Sequence, residues 1–569
     1  MSIVTVRQKL TALVQEGVNS LYTSGFIDGT APTIHLEPPK QAAHGDYACT
    51  IALGLAKTAR KNPRDIASRL QEAIVDPSGL IERTEIAGPG FLNFFVSANA
   101  WREALLDVLS AGESFLRSDV GQGEKVLIEY VSANPTGPLH IAHGRGAVTG
   151  DVLARLLETI GFDVSREYYV NDQGNQTNVL ARSIHLRYQE LLGREVSHPE
   201  DFYPGEYVTE IADVLLKEDG DKHLDQPEEA WLDRFRDRGI ELMRTRIQRD
   251  LEAFGVSFDT WVSERELTER LDLDGMIGRL EKKGCIYVEE GKRWFKTTDF
   301  GDDKDRVVQR DDGRTTYFAS DIAYHDDKMN RGYKRLINLW GADHGGYIAR
   351  VKAGMTALDH SAEALEVLLM QMVSLSRGGE TVRMGKRLGT AIWLEDVVGE
   401  AGRDATRYFF LMRRSDSQMD FDIDLAAKKS LDNPVYYAQM GHARMCAIGR
   451  KAVESGYTEV VPQPGCLDAL ALPEEFGLIK ALLRAPDVIK DAALAREPHQ
   501  VVHFIQDLIA QFHSYYTQYG KTERVISDDR AKTTARLLLC RALQETLHEL
   551  LSLLGVSAPE KMYLEDKSA

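Results

Sequence analysis

The sequence predicts a multidomain α/β protein in which a parallel β-sheet lies between a smaller α+β domain and a helix bundle. The chain has 569 residues, which is too long for one hydrophobic core. A β-branched and aromatic run at 126–131, a helical pattern at 144–160 and a second strand-like run at 164–170 predict a βαβ unit with parallel strands. From about residue 430 onward, apolar residues recur at helical spacing, which is typical of a bundle.

The distribution of glycine and charged residues along the sequence predicts three domains. The first covers residues 1–118 and combines helical patterns with a strand-like end. The second covers residues 119–429 and contains the βαβ unit, with a charged helical region at about 201–290 that we interpret as an insertion. The third covers residues 430–569 and is the predicted helix bundle.

Charge and cysteine usage exclude several classes of protein. The formal net charge is −18, which argues against a general nucleic-acid binder but leaves room for one specific RNA partner. The five cysteines are scattered without a C-x-x-C pair, so neither a disulfide framework nor a structural zinc site is expected. No stretch reaches the roughly 18–20 apolar residues of a membrane span, and the N-terminus indicates an amphipathic helix rather than a signal peptide. We therefore expect a cytoplasmic protein without membrane contact.

The most informative segment is residues 132–144, which joins the first predicted strand to the following helix. A helix N-terminus at the carboxyl end of a parallel strand favours phosphate binding. His140 and His143 are three residues apart, so both can donate hydrogen bonds to that phosphate, and Gly144 permits close backbone approach. The H-x-x-H spacing alone is more typical of structural or surface histidines, and no third ligand for a zinc site is visible.

A second informative segment is Arg383-Met384-Gly385-Lys386-Arg387, which follows a glycine-containing turn. Basic side chains on such a loop can close over a triphosphate and neutralise the leaving pyrophosphate. By itself the segment is also consistent with a solvated basic loop.

Together the two segments resemble the signature pair of class I aminoacyl-tRNA synthetases. Residues 140–143 resemble the HIGH motif, with Ala142 in place of its glycine. Residues 383–387 resemble KMSKR, with arginine for the first lysine and glycine for the serine. Lys386 matches the lysine that has the catalytic role in that family.

Further segments resemble the arginyl-tRNA synthetase family, and they follow one another in order along nearly the whole chain. They are residues 44–48, 129–138, 169–176, 317–321, 402–408 and 554–562. The resemblance implies a Rossmann-like catalytic domain with an insertion, an N-terminal α+β domain that contacts tRNA, and a C-terminal anticodon-binding bundle. It also implies that adenylate formation needs bound tRNA.

The resemblance also implies an arginine site. A guanidinium is always charged and presents a planar fork of donors, so its site needs carboxylates. Asp321 would hold the guanidinium with Tyr317 beside it, although this pair alone is equally consistent with a surface hydrogen bond. The other implied arginine-binding residues are Glu129, which adds negative potential, and Ser132, Ala133, Asn134 and His143.

ATP and tRNA are the other implied ligands. The segment 341–344 follows a predicted strand where class I enzymes contact the ribose, although a turn that merely ends the strand would look the same. The predicted ATP-binding residues are His140, His143, Gly144, Gly341, Asp343, His344, Met384, Lys386 and Arg387. The predicted tRNA-binding residues are Tyr436, Tyr437 and Arg444, because bases stack on aromatic rings and arginine planes. A core or solvated position explains each of these three equally well.

The implied enzyme activates L-arginine with ATP and Mg²⁺, with no structural metal, to form arginyl-adenylate. It then transfers arginine to tRNA(Arg) and releases AMP and diphosphate. His140, His143 and Lys386 would be the catalytic residues of a monomeric enzyme. The alternatives are another class I synthetase, a small-molecule adenylyltransferase, or a tRNA-binding protein with a decayed synthetase fold.

Overall fold

The computed structural model describes residues 5–39, 41–382, 392–520 and 522–563. The N-terminal region packs helices against an antiparallel sheet with the order β1-β2-β4-β3. Its elements are α1 (Val6–Thr23), β1 (Leu36–Glu37), β2 (Tyr47–Cys49), α2 (Ile51–Ala59), α3 (Pro63–Ala73), β3 (Ile81–Ala87), β4 (Phe91–Val96) and α4 (Ala98–Ala111). Asn62 caps α3 and Pro63 occupies its first turn, which suits proline because that position needs no N–H donor.

The middle region contains the parallel sheet. The strands of this region are β5 (Lys125–Glu129), β6 (Asp163–Val170), β7 (Thr260–Ser263), β8 (Ile286–Glu289), β9 (Lys292–Phe295), β10 (Arg306–Gln309), β11 (Arg335–Gly341), β12 (Leu365–Met370), β13 (Val373–Arg377), β14 (Glu380–Val382) and β15 (Met419–Asp422). Five of them form one sheet in the order β12-β11-β5-β6-β7, and every neighbouring pair is parallel. The predicted βαβ unit and Rossmann-like sheet are confirmed.

Helices cover this sheet and connect its strands. They are α5 (Ile141–Thr159), α6 (Asn175–Leu191), α7 (Glu206–Asp219), α8 (Glu228–Ala253), α9 (Glu264–Arg270), α10 (Leu273–Lys282), α11 (Tyr317–Asn330), α12 (Ile348–Ala357), α13 (Leu394–Ala401), α14 (Arg403–Leu411) and α15 (Ile423–Ala427). The chain moves from β5 outward to β7 and then returns to β11 on the other side of β5. In such sheets ligands bind at the carboxyl edge where the direction reverses, here between β5 and β11.

The predicted insertion at 201–290 is only partly correct. Helices α7 and α8 pack against α6 as a helical layer, but β7 lies inside the same range and is the edge strand of the main sheet. With four residues, β7 is too short for its periodicity to be recognised in the sequence.

The C-terminal region is the predicted helix bundle. Its helices are α16 (Pro434–Glu454), α17 (Pro473–Leu482), α18 (Ala485–Ala495), α19 (His499–Tyr519) and α20 (Arg530–Leu553). The described chain beyond Asp422 contains no strand. Among the described helices, none combines the length and the apolar character that crossing a membrane requires.

Candidate active site

The candidate site begins at a strained turn directly after β5. Val131 and Ser132 have φ angles of 68° and 39°, in the left-handed region that a β-branched residue such as valine strongly disfavours. Ser132 Oγ donates a hydrogen bond to Glu129 Oε1 at 3.2 Å and accepts one from the Tyr169 backbone N–H at 3.1 Å. Such strain persists at functional sites, where the surrounding structure holds the backbone in place. The turn therefore fixes Glu129 and Ser132 at the carboxyl edge of the sheet.

A cavity of about 400 Å³ opens at this edge, between β5, β11 and α11. Five of the predicted residues line it: Glu129, Ser132, Asp321, Gly341 and His344. Further lining residues that the sequence did not identify include Tyr169, Tyr324, His325, Asn338 and Tyr347. The cavity thus combines carboxylates with aromatic rings, as a site for a planar cation requires.

Asp321 is the carboxylate with the most unusual environment in this cavity. Its pKa is raised to about 7, and burial is the main cause. A hydrogen bond with the Tyr347 side chain opposes the shift, and the nearby charges of Glu129 and Glu264 add to it. A carboxylate that is costly to ionise without a partner is stabilised when a cation replaces its proton. Asp321 is therefore suited to hold a charged group that enters the cavity.

Glu129 has a cationic partner that the sequence did not reveal. Its carboxylate is paired with Lys328 Nζ, and the Lys328 side chain is fully buried. The same ammonium lies 3.8 Å from Glu167 Oε1 and over the Tyr324 ring. Lys328 therefore compensates only part of the negative charge of Glu129, and the predicted role of Glu129 in binding arginine stays a prediction.

Glu264 is a buried carboxylate close to Asp321 and Tyr169 that the sequence did not identify. It is buried at the start of α9, and the Tyr169 side chain forms a hydrogen bond with it. Burial raises the pKa of this carboxyl, and the charge of Asp172 raises it further. The signal would have been a carboxylate directly after a strand, but the four-residue strand β7 gave no recognisable pattern.

Of the residues predicted to hold the amino-acid end, Ser132 lines the cavity, whereas Ala133 and Asn134 are not among its described lining residues. Asn134 Nδ2 donates to Gln176 Oε1 at 2.9 Å, and the carbonyl of the buried Ala133 accepts from the Tyr168 hydroxyl at 2.9 Å. Tyr317 is 66% exposed, and its hydroxyl lies 3.3 Å from the position that a Cβ on Gly174 would occupy. Tyr317 therefore stands beside the loop that precedes α6, and it is not among the described residues that line the cavity.

The two signature histidines form one stacked unit at the start of α5. His140 is the N-cap residue, and its ring stacks on that of His143 with centroids 3.6 Å apart. The His140 backbone N–H donates to His143 Nδ1 at 3.2 Å. Because Nδ1 is the acceptor, the neutral His143 ring carries its hydrogen on Nε2. The capping contact thus fixes both the rotamer and the tautomer of His143.

Gly144 has a packing role that its position in the motif did not reveal. A Cβ at this residue would lie 2.5 Å from Leu394 Cδ1 and 3.1 Å from the Phe410 ring. The close approach at Gly144 is therefore that of α13 and α14 to α5, while its predicted contact with ATP stays a prediction.

The predicted second signature, with Met384, Lys386 and Arg387, lies outside the described residues. The chain that follows it is anchored beside the first signature. Trp393 forms an antiparallel bridge with His140, and the Leu394 N–H donates to the Leu139 carbonyl at 2.7 Å. The backbone at 393–394 is therefore fixed to the start of the first signature.

The predicted ribose contacts lie beyond β11. Asp343 is 82% exposed in its side chain and lies 3.6 Å from His344 Nε2, which is also exposed. His344 lines the cavity, whereas Asp343 is not among its lining residues. Asp343 thus sits at the rim, in contact with solvent.

The predicted tRNA-binding residues differ in accessibility. Tyr436 is buried at 7% exposure and its hydroxyl donates to the Tyr563 carbonyl, so its ring packs within the bundle instead of facing a base. Tyr437 is partly exposed and packs edge-on against His513. The partly exposed Arg444 lies over the Tyr516 ring. Of the three predicted residues, Tyr437 and Arg444 therefore keep an accessible surface.

Three family models match consecutive parts of the chain. Residues 7–96 match the arginyl tRNA synthetase N terminal domain. Residues 105–446 match the catalytic domain of class I (R) tRNA synthetases. Residues 438–562 match the DALR anticodon binding domain.

Relatives match over the full length of the chain. An arginine–tRNA ligase from Syntrophotalea carbinolica is 47% identical over 560 residues, covering 98% of this chain and 100% of the relative. An arginine–tRNA ligase from a Geobacter species is 46% identical with the same coverage. The solved structure of Thermus thermophilus arginyl-tRNA synthetase superposes with a TM-score of 0.74 at 23% identity, covering 98% of this chain and 100% of that one. This last likeness concerns the fold.

Proposed function

The chain belongs to the arginyl-tRNA synthetase family, and from this premise we propose how its own residues perform the reaction. It is an arginine–tRNA ligase that uses ATP to activate L-arginine and attaches it to tRNA. The observation that carries the assignment of the site is the buried Asp321 carboxyl in a cavity at the reversal point of the sheet.

Arginine binds with its guanidinium at Asp321 and its carboxylate toward the mouth of the cavity. The raised pKa of Asp321 supports this orientation, because a guanidinium stabilises the ionised carboxylate that burial destabilises. Glu264 and Tyr169 add a second acidic group next to the cavity. Tyr317 would lie beside the guanidinium, and Asn134 and Ser132 would hold the amino-acid end.

The arginine carboxylate attacks the α-phosphorus of ATP in line, and the bond to the pyrophosphate oxygen breaks. His143 Nε2–H and His140 donate to the phosphate, and Lys386 stabilises the leaving pyrophosphate. Mg²⁺ arrives with ATP as part of the substrate and shares the pyrophosphate charge. A terminal ribose hydroxyl of tRNA then attacks the carbonyl carbon, its proton leaves, and AMP is released. The enzyme contributes mainly placement and charge stabilisation.

The N-terminal domain and the bundle hold the tRNA, with Tyr437 and Arg444 as base-stacking candidates. The Arg444 guanidinium over the Tyr516 ring supports this, since such a pair offers a flat cationic surface. All five cysteines are free, which is in keeping with a reducing compartment such as the cytoplasm. We propose that the enzyme is cytoplasmic and acts as a monomer.

The test is aminoacylation of total tRNA with labelled amino acids. Labelled arginine should be incorporated, whereas lysine and the neutral isostere citrulline should not, because neither presents a charged planar fork to Asp321. Incorporation of another amino acid instead of arginine would refute the proposal. ATP–pyrophosphate exchange measured without tRNA tests the implied tRNA requirement, and clear exchange would contradict it.

A further inference from the structure

One buried amide in the cavity wall has a polar atom that the reaction as described does not use. Asn338 lies in β11 directly opposite Glu129 of β5, is only 1% exposed, and lines the cavity. Its Nδ2 lies 2.9 Å from His325 Nε2. Among the residues that the structure describes, none donates a hydrogen bond to Asn338 Oδ1. A buried acceptor without a donor is costly, so its presence in a binding cavity indicates a ligand contact.

The orientation of this amide is set by His325. His325 Nδ1 lies 2.8 Å from the backbone carbonyl of Asp321, and a carbonyl can only accept. Nδ1 must therefore carry the hydrogen, which makes Nε2 an acceptor for the Asn338 Nδ2–H. Burial lowers the pKa of His325 to about 3, so the ring keeps this neutral tautomer under physiological conditions. With Nδ2 turned toward His325, Oδ1 is the atom that remains for a ligand.

We propose that Asn338 Oδ1 accepts a hydrogen bond from the guanidinium of arginine and thereby helps to select this amino acid. The inference rests on the proposed function and adds a residue to its specificity pocket. A guanidinium has five N–H donors, and a carboxylate such as Asp321 pairs with two of them in the bidentate arrangement. A further acceptor fixed in the wall of the same cavity is satisfied only by a substrate that brings a further donor to it.

His325 acts in this scheme as a positioning residue. It connects the backbone of Asp321 in α11 with the side chain of Asn338 in β11, so the two acceptors are held relative to each other. Loss of the imidazole would leave the amide free to rotate and present Nδ2 to the guanidinium, which cannot accept a hydrogen bond.

The experiment compares steady-state aminoacylation by wild type, Asn338→Leu, Asn338→Ala and a matched control. Leucine has the same branching and the same number of side-chain heavy atoms as asparagine, so this variant fills the position without an acceptor, and Asn338→Ala removes the acceptor without adding volume. We expect the KM for arginine to rise by about 10-fold to 100-fold in both variants, while the KM for ATP changes less than twofold. The control is Ile337→Ala, which empties core volume on the opposite face of the same strand. It should lower the melting temperature without changing the arginine KM.

A substrate analogue gives a readout that does not depend on stability. Nω-methyl-L-arginine replaces one terminal N–H with a methyl group, and Asn338→Ala opens space on that side. The ratio of kcat/KM for the methylated and the unmodified amino acid should therefore rise at least about 10-fold in Asn338→Ala. An unchanged ratio, or equal changes in the KM values for arginine and ATP, would overturn the inference.

A double-mutant cycle tests the role of His325. His325→Leu should raise the arginine KM by less than Asn338→Leu, with kcat preserved, and should add nothing further once Asn338 is replaced. Full additivity would refute the positioning role. If wild type charges arginine while the Asn338 variants keep the wild-type KM, the inference fails and the enzyme function stands. If wild type does not charge arginine, the proposed function itself fails.

Discussion

At the scale of single residues, the buried carboxyl of Asp321 links function to stability. Its pKa rises from the ordinary 3.8 to about 7 on folding, so the folded chain holds a proton between these values that the unfolded chain releases. The stabilisation is fully present below about pH 4 and is lost as pH rises through 7. Asp321→Asn should therefore raise the melting temperature at pH 8 more than at pH 5 while abolishing arginine charging. Thermal denaturation at both pH values measures this.

The control for that prediction is Asp311→Asn, a change at an exposed position away from the cavity. It should leave the melting temperature unchanged at both pH values. Equal effects of Asp321→Asn at pH 5 and pH 8 would contradict the raised pKa.

The same carboxyl predicts how arginine binding depends on pH. Below pH 7, Asp321 is increasingly protonated in the free enzyme, and the guanidinium has to displace that proton. The KM for arginine should rise toward tenfold for each pH unit below about 7, while the KM for ATP should follow only the titration of ATP itself. Kinetics between pH 5.5 and 8.5 provide the measurement, and a flat arginine KM would argue against Asp321 as the guanidinium ligand.

Lys386 carries a third prediction at this scale. If its ammonium stabilises the leaving pyrophosphate mainly in the transition state, Lys386→Ala should lower kcat by about 10²–10³ with little change in arginine affinity. The matched control is Lys217→Ala on the exposed surface of α7. Single-turnover kinetics report the loss, and wild-type turnover in Lys386→Ala would refute the role.

At the scale of elements, sequence patterns were informative where they were long. The strand–loop–helix–strand unit from β5 to β6 was predicted because its apolar runs are continuous, and the histidine motif marked the start of α5. Strand β7 was not predicted, because four residues are too few to show the alternation of a strand. Glu264 directly follows this strand, so its position near the cavity was not predicted either.

The contacts inside the cavity were beyond what local patterns can show. Lys328 pairs with Glu129 although 199 residues separate them in the chain, and Asn338 meets His325 across the gap between sheet and helix. Such pairs depend on how α11 packs over β5 and β11. The sequence therefore predicts Asp321 and Glu129 as site residues, but it does not show that Tyr347, Glu264 and Lys328 pack close enough to shift the pKa of Asp321.

Helix α5 offers the fourth prediction. A methyl group at Gly144 would lie 2.5 Å from the buried Leu394 Cδ1, so Gly144→Ala should force α13 away from the signature histidines. We expect a destabilisation of about 1–3 kcal/mol and a lower kcat. Gly146 is the matched control: nothing lies within 4 Å of a Cβ there, so Gly146→Ala should stabilise the helix by about 0.5–1 kcal/mol. Denaturant unfolding separates the two, and equal stability of the variants would contradict the packing argument.

At the scale of the whole molecule, one buried arginine joins the catalytic domain to the bundle. The Arg407 side chain is fully buried and pairs with Asp151 of α5. Its guanidinium also donates to the Leu554 carbonyl at the end of α20 and to the Phe254 carbonyl at the end of α8, each at 3.0 Å. Since all three elements meet at this group, we infer that it couples the unfolding of the two domains.

Tryptophan fluorescence and far-UV circular dichroism can separate the domains, because all six tryptophans lie before residue 394. Trp101 contacts Lys480 of α17, so all variants are compared in a Trp101→Phe background. Arg407→Leu leaves a buried carboxylate short of one partner, which typically costs about 3–5 kcal/mol. We expect the dichroism curve of this variant to show a second transition that fluorescence does not follow. Arg536→Leu is the control, because it breaks a buried pair with Glu475 inside the bundle and leaves the link intact. Its two curves should shift together; coincident curves in Arg407→Leu would mean that Arg407 does not couple the domains.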